Sequence, residues 1–435
     1  MLISSKIYNG INGEAKIPGD KSISHRSIII PSISNGVSEI SNILKSEDVL
    51  HTMSAFKLMG VKIEELKDKI IIYGQGLNSL RQPSKEIYLG NSGTSARLLI
   101  GLLSSQNFTS NLSGDISLSS RPMGRIIDPL NLVGAKIDSK DKKLPICIYG
   151  QKLKPINYTV PVPSAQVKSG LILAALNTEG VSKLIEKDVT RNHTEIMLES
   201  FGADIDIKEE NKYKHISIIG KKELIAKNIH VPSDLSSSAF FIVACLINKN
   251  SNLVLKNINI NPSRDGILRA LKKMKANIHI TNQRLLNNEV VADLNIKSSK
   301  LEGVELDAEM AKLMIDEYPI LSIAACFAET PSIFRGLKEL KIKESNRLEL
   351  IYLNLLRCGV SCEVKNDDLY IYPNKEYTIK DSKIITKFDH RIAMAFSVMG
   401  TRLNENLEIL ESECINTSFP NFFKRFNSVG GKLIE

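Results

Sequence analysis

The stretch 89–103, LGNSGTSARLLIGLL, decides the fold. A turn of Gly, Asn and Ser feeds an apolar run at helical spacing, which marks a helix start. The pattern returns five times, as PGDKSISHRSIII (18–30), VPSAQVKSGLILAAL (162–176), VPSDLSSSAFFIVACL (231–246), IDEYPILSIAACFA (315–328) and DHRIAMAFSVMG (389–400). The turns recur about every 70–80 residues, longer than a solenoid period and long enough for a compact subdomain. Between them runs a second signature, in which an amphipathic helix stops at a small residue and the chain turns directly into a strand. It stands at MGVKIEEL (59–66), VGAKIDS (133–139), FGADIDI (201–207), MKANIHI (274–280), CGVSCEV (358–364) and VGGKLIE (429–435). Five of these stops carry Gly; the other places Ala276 just before its strand. Each unit therefore reads as strand, helix, strand, helix, strand, strand. Six such units cannot each bury their own helices, so two groups of three around shared cores is the simplest division. The natural hinges are Pro18-Gly19 and the turn near Pro232.

The bulk properties fit a globular chain of 435 residues, 43% hydrophobic and 24% charged. Tryptophan is absent and aromatics are 6%, leaving no evident stacking platforms for single-stranded nucleic acid. The formal charge of +9 is spread along the chain rather than gathered in a tail, and suits small anionic substrates as well as nucleic acid or an anionic surface. Six cysteines without a Cys-x-x-Cys, several in apolar runs, point to reduced, buried thiols and a reducing compartment. The N-terminus is neither a secretory nor a transit signal, and the longest apolar run, near 239–247, is too short to cross a bilayer, so a cytoplasmic protein is expected.

Helix starts present unpaired N–H groups and partial positive charge, and so bind phosphate or carboxylate. Several of these turns also carry cations: Lys21 and Arg26, Arg97, Lys168, Arg121 and Arg125, Lys343 and Arg347, and His390 with Arg391. One such turn alone is more commonly an exposed N-cap beside a solvated cation than a binding site; the full set strains that reading. Guanidinium forks aimed at one cleft would hold two small anions side by side. Asp316 and Glu344, the acidic residues set closest to these cations, are candidate proton carriers, with an ordinary ion pair as the rival reading.

Taken together, GDKSISHR, LGNSGTSAR, RPMGR, SAQVKSG, RNHTE, IDEYP, KIKESNRL and DHRIAMAFS resemble, in order and over nearly the whole chain, the 5-enolpyruvylshikimate-3-phosphate synthase family. The resemblance implies an α/β fold of two domains, each an inverted α/β barrel of three βαβαββ units with helix N-termini facing the interdomain cleft. It implies a discontinuous domain of residues 1–18 plus 231–435, an inserted domain of 19–230, and an active site between them. Lys21, Ser22, Arg26, Ser164, Ala165 (by backbone alone), Gln166, Asp316 and Lys343 are similar to the shikimate 3-phosphate contacts. Lys21, Gly93, Arg121, Gln166, Arg347 and Arg391 are similar to the phosphoenolpyruvate contacts, with Asn91 shaping the Gly93 loop. By the same resemblance Asp316 takes the proton of the 5-hydroxyl, and Glu344 protonates C3 and later accepts a proton, with Lys21 assisting. Expected are no metal or organic cofactor, no nucleic acid, no membrane, and a monomer.

Two departures stand out. INTSFPNF places Thr417 where many members have Lys, and Asn261–Arg264 reads Asn-Pro-Ser-Arg where Asn-Pro-Thr-Arg is common in the sequence class that includes glyphosate-tolerant members. SAQVK and RNHTE, with GDKS and RPMGR, resemble that class, but Gly93 leaves open a space that an inhibitor-resistant site often fills with a methyl, so only partial tolerance is expected. The nearest rival is UDP-N-acetylglucosamine enolpyruvyl transferase, which usually carries a reactive Cys ahead of its Arg-Pro motif; SGDISLSSRPMGR has none. A nucleic-acid-binding protein of related units would need a basic face and strongly salt-dependent binding.

Overall fold

A computed structural model describes residues 1–188, 190–211 and 213–435. The chain forms two compact units. A discontinuous unit holds Met1–Pro18, Ser233–Leu285 and Val290–Glu435; an inserted unit holds Gly19–Pro232 with Leu286–Glu289.

Each unit carries three four-stranded sheets of one design. In the inserted unit, Ile87–Tyr88 pairs in parallel with Thr109–Ser113, which pairs antiparallel with Ile146–Tyr149, which pairs antiparallel with Lys136–Ser139. A helix, Gly93–Ser104, links the two parallel strands, because a parallel pair needs a crossover and a helix supplies it. The sheet begun by Asn157–Val160 repeats this order.

Three sheets are completed by strands remote in sequence. Asn12–Ala15 pairs in parallel with Asn252–Asn259 in the discontinuous unit. Ile229–His230 pairs in parallel with Asn35–Ser41 and so stands where the first strand of the inserted unit's opening sheet belongs. Leu2–Ser4 pairs with both Leu407–Ile409 and Leu433–Ile434 and completes the last sheet of the discontinuous unit. Where the chain leaves one unit for the other, a backbone bond replaces covalent continuity. The Asp20 N–H donates to the Pro232 carbonyl at 2.7 Å in the inserted unit, and the Asp234 N–H to the Pro18 carbonyl at 3.0 Å in the other.

The six helices expected from the turn-plus-apolar pattern are Lys21–Ser32, Gly93–Ser104, Ala165–Leu176, Leu235–Ile247, Tyr318–Cys326 and His390–Gly400. Three form the buried centre of each unit. In the inserted unit the close approach of two of them demands glycine: a Cβ on Gly101 would lie 1.9 Å from the Gly170 carbonyl oxygen. That contact draws the starts of the 93–104 and 165–176 helices together. Five of the helix stops place Gly60, Gly134, Gly202, Gly359 and Gly430 at positive φ. In the remaining one, Lys275 takes the left-handed residue at φ 62°, one position before Ala276, because the cap belongs to the residue next after the helix whatever its side chain.

No helix among the described residues is long and apolar enough to cross a membrane. All six cysteines are free thiols, five of them buried.

Candidate functional site

In the inserted unit, side-chain caps at Asp20, Ser92 and Ser164 start the three central helices by accepting from Ile23, Ser95 and Val167. Because Gly101 and Gly170 bring two of these starts side by side, Gln166 reaches both Arg97 and Thr94. Arg97 Nη1 donates to Gln166 Oε1 at 2.7 Å, and Gln166 Nε2 donates to Thr94 Oγ1 at 2.9 Å. Arg121, just past a short helix, donates to the Asn91 side chain and to the Ser117 hydroxyl, while its buried Nε has no hydrogen-bond partner among the described residues. Gly93 lies between the two arginines: a Cβ there would sit 2.8 Å from Arg97 Nη1 and 3.2 Å from Arg121 Nη1. Asn91, Gly93, Arg97, Arg121 and Gln166 thus form one guanidinium-rich niche at two helix starts.

Lys21 pairs with Asp48. Arg26 is nearly buried and organises its surroundings: Nε donates to Thr194 at 2.6 Å, Nη1 to the Ser22 carbonyl at 2.8 Å and Nη2 to Ser169 at 2.8 Å. Burial lowers its pKa to about 10, against the opposing pull of Glu195, Asp20 and Glu289. At the residue immediately before, burial holds His25 well below the usual imidazole range, helped by the charges of Lys21 and Arg26.

Lys168 does not join this set. Its side chain is wholly buried and bound at 2.8 Å to Glu186 and at 2.8 Å to Glu195, so the expected anion ligand after Ser-Ala-Gln is instead an internal ion pair. The 165–176 helix is buried from Val167 onward, so Lys168 must find its partners inside. Arg125 is exposed on the helix that follows Arg121.

In the discontinuous unit the hub is Arg347, with a fully buried side chain. Its Nε donates to Asp389 at 2.8 Å, Nη1 to Asp316 at 3.2 Å and Nη2 to Glu344 at 2.5 Å. Burial alone would depress its pKa, but the charges of Asp389, Glu344 and Asp316 raise it above the ordinary guanidinium value. Lys343 stands 3.6 Å from the same Asp316 oxygen. Arg391 Nη1 donates to the Asp316 carbonyl at 3.2 Å, and Asp389 caps the Arg391 N–H at 3.0 Å while accepting from Ser345 at 2.8 Å. Asp316, Lys343, Glu344, Arg347 and Arg391 are therefore brought together from three separate segments.

Asp48, Asp389 and Glu317 belong to these arrangements and were not singled out from the sequence. Asp389 had a legible signal, since an Asp immediately before a helix start is an N-cap; its second bond, to Arg347, is visible only in space. Thr417 gives its hydroxyl to the Cys414 carbonyl at 2.8 Å. Among the described residues no group of three or more His, Cys, Asp or Glu is arranged to hold a metal ion.

Helix starts furnished with guanidinium and ammonium groups, beside carboxylates held by cations, define a class of enzyme that binds small anions and moves protons. The comparisons narrow the class. The family model for EPSP synthase (3-phosphoshikimate 1-carboxyvinyltransferase) matches residues 6–426, and the chain belongs to that family. It is 45% identical over 423 residues to the 3-phosphoshikimate 1-carboxyvinyltransferase of Vesicomyosocius okutanii, covering 97% of this chain and 96% of the relative. The enzyme of that name from Petrotoga mobilis is 44% identical over 435 residues, covering 99% of each. The solved EPSP synthase of Acinetobacter baumannii superposes with a TM-score of 0.88 at 40% identity, covering 100% of this chain and 99% of that one.

Proposed function

We propose that the chain transfers the enolpyruvyl group of phosphoenolpyruvate to the 5-hydroxyl of shikimate 3-phosphate. The observation that carries this reading is the Arg347 hub, which holds two carboxylates, Asp316 and Glu344, with Lys343 and Arg391 beside Asp316. Two protons must move in such a transfer. The hydroxyl oxygen bonds to C2 of phosphoenolpyruvate and gives its proton to Asp316, while the C2–C3 π pair takes a proton from Glu344. The tetrahedral intermediate then loses phosphate as Glu344 takes back a proton from C3, with Lys21 assisting.

Lys21, Ser22, Arg26, Ser164, Ala165, Gln166, Asp316 and Lys343 would receive shikimate 3-phosphate. Lys21, Gly93, Arg121, Gln166, Arg347 and Arg391 would receive phosphoenolpyruvate. Arg347 can do so at the Nη2 edge now taken by Glu344, whose side chain keeps 25% of its surface exposed. Binding of the substrate's carboxylate there would free Glu344 to act. Fixed cations aimed at phosphate and carboxylate stabilise charge as it redistributes. We also propose a monomer working without nucleic acid in the cytoplasm, a compartment that suits the six free thiols.

The test is phosphate release from phosphoenolpyruvate with shikimate 3-phosphate or UDP-N-acetylglucosamine as acceptor. Release with shikimate 3-phosphate alone is expected. Release only with the nucleotide sugar would overturn the assignment.

A further inference from the structure

Glu317 follows Asp316 in IDEYP, but its side chain goes to different partners. It is 2% exposed, makes no side-chain cap bond to the helix that it begins, and leaves its buried Oε2 without a hydrogen-bond partner among the described residues. Burying a carboxylate with one oxygen unpaired subtracts from stability, so a purely structural role does not explain it. Its other oxygen is fixed by a relay that runs back to a helix cap. Arg264 Nη2 donates to Asp234 Oδ1 at 3.0 Å and to Ser236 Oγ at 2.6 Å, and Ser236 in turn donates to Glu317 Oε1. The direction is forced, because a guanidinium can only donate and the single hydroxyl proton must then go to the carboxylate. Asp234 caps the Leu235–Ile247 helix, so the relay is anchored in the core of the discontinuous unit.

The far end of the relay meets Arg391. Arg391 Nη1 lies 3.9 Å from Glu317 Oε1 and donates to the Asp316 carbonyl at 3.2 Å, so both contacts converge on one nitrogen. We propose that Glu317 is a positioning residue that holds the Arg391 guanidinium against the Asp316–Glu317 peptide, ready for the anionic donor substrate. This rests on the reading of Arg391 as a phosphoenolpyruvate ligand. A guanidinium fixed beforehand loses less freedom when the anion arrives, and that advantage is read in the donor's binding rather than in the proton transfers.

The experiment is steady-state kinetics and thermal melting of the full chain carrying Glu317→Gln, which keeps the shape and removes the charge. The KM for phosphoenolpyruvate should rise about tenfold, while kcat and the KM for shikimate 3-phosphate stay within about threefold. The melting temperature should hold or rise, since an under-paired buried charge has gone. Arg391→Lys should cost less in the Glu317→Gln background than in the wild type, the sign of coupling between the two. Ser236→Ala, which frees the Glu317 carboxylate without touching its charge, should raise the same KM by a smaller factor, and it reads the same constant if the Gln variant does not fold. A KM for phosphoenolpyruvate within about twofold of wild type in both variants overturns the proposal. So does a joint loss in which kcat and melting temperature fall and both KM values rise, which would mark a structural role. A wild-type chain that releases no phosphate from the substrate pair would instead defeat the proposed function, and this inference with it.

Discussion

Replacing Arg347 with Met removes the guanidinium that three carboxylates share while keeping an unbranched side chain in its place. Stripping one partner from a buried ion pair costs about 3–5 kcal/mol, and the abandoned Asp389 is as fully buried as Arg347 itself. Asp316 and Glu344 keep 17% and 25% of their side-chain surface exposed, so water replaces part of what they lose and each adds no more than about 1 kcal/mol. The total, about 3–7 kcal/mol, is a large share of the roughly 5–15 kcal/mol that holds a typical domain folded. In the wild type the pKa of Arg347 is raised above its ordinary value, so its contribution is fully present below the ordinary guanidinium pKa and is lost only as pH rises into strong alkali. Urea denaturation near neutral pH should therefore show the whole deficit between wild type and variant. A gap below about 1 kcal/mol would refute Arg347 as the hub.

Other substitutions separate the roles of the remaining residues. Asp316→Ala should lower kcat by about 10²–10⁴-fold while barely changing the affinity for phosphoenolpyruvate, measured by turnover and by equilibrium binding; unchanged turnover would remove Asp316 from the chemistry. Gly93→Ala places a methyl 2.8 Å from Arg97 Nη1 and 3.2 Å from Arg121 Nη1, and the tips of these flexible side chains can move, so the fold should survive. The displaced guanidiniums should raise the KM for phosphoenolpyruvate by roughly fivefold or more, and an unchanged KM would show that the niche does not receive it. Lys168→Met should cost about 3–5 kcal/mol of stability in denaturant melts, because it strands Glu186 and Glu195 in the core. Weakened phosphoenolpyruvate binding without loss of stability would restore Lys168 as an anion ligand.

The repeated helix starts and stops made the architecture legible because each depends on a few neighbouring residues. Asp20, Ser92 and Ser164 cap where the turns place them, and glycines end five of the second helices. The shift from Ala276 to Lys275 shows the limit, since a lysine can occupy a left-handed cap without announcing it. Lys168 was misread because a helix buried on all sides has no solvent face from which to tell a ligand from a core ion pair. The partners of Arg347 could not be paired from the sequence: Asp316 and Asp389 lie 31 and 42 residues away, and nothing local to either names the guanidinium between them. Glu317 was hidden by its neighbour, for two adjacent acids in IDEYP look alike until the backbone sends one toward Arg347 and the other toward Ser236.

Protonation of C3 is tested most directly by running the reaction in D2O with phosphoenolpyruvate and shikimate 3-phosphate and reading the vinyl methylene of the product by NMR. If Glu344 delivers a solvent-derived proton to C3 and then removes one from the resulting methyl group, part of the product must carry deuterium there, and Glu344→Gln must suppress both turnover and labelling. Wild-type product free of deuterium at that carbon would contradict addition through a protonated C3.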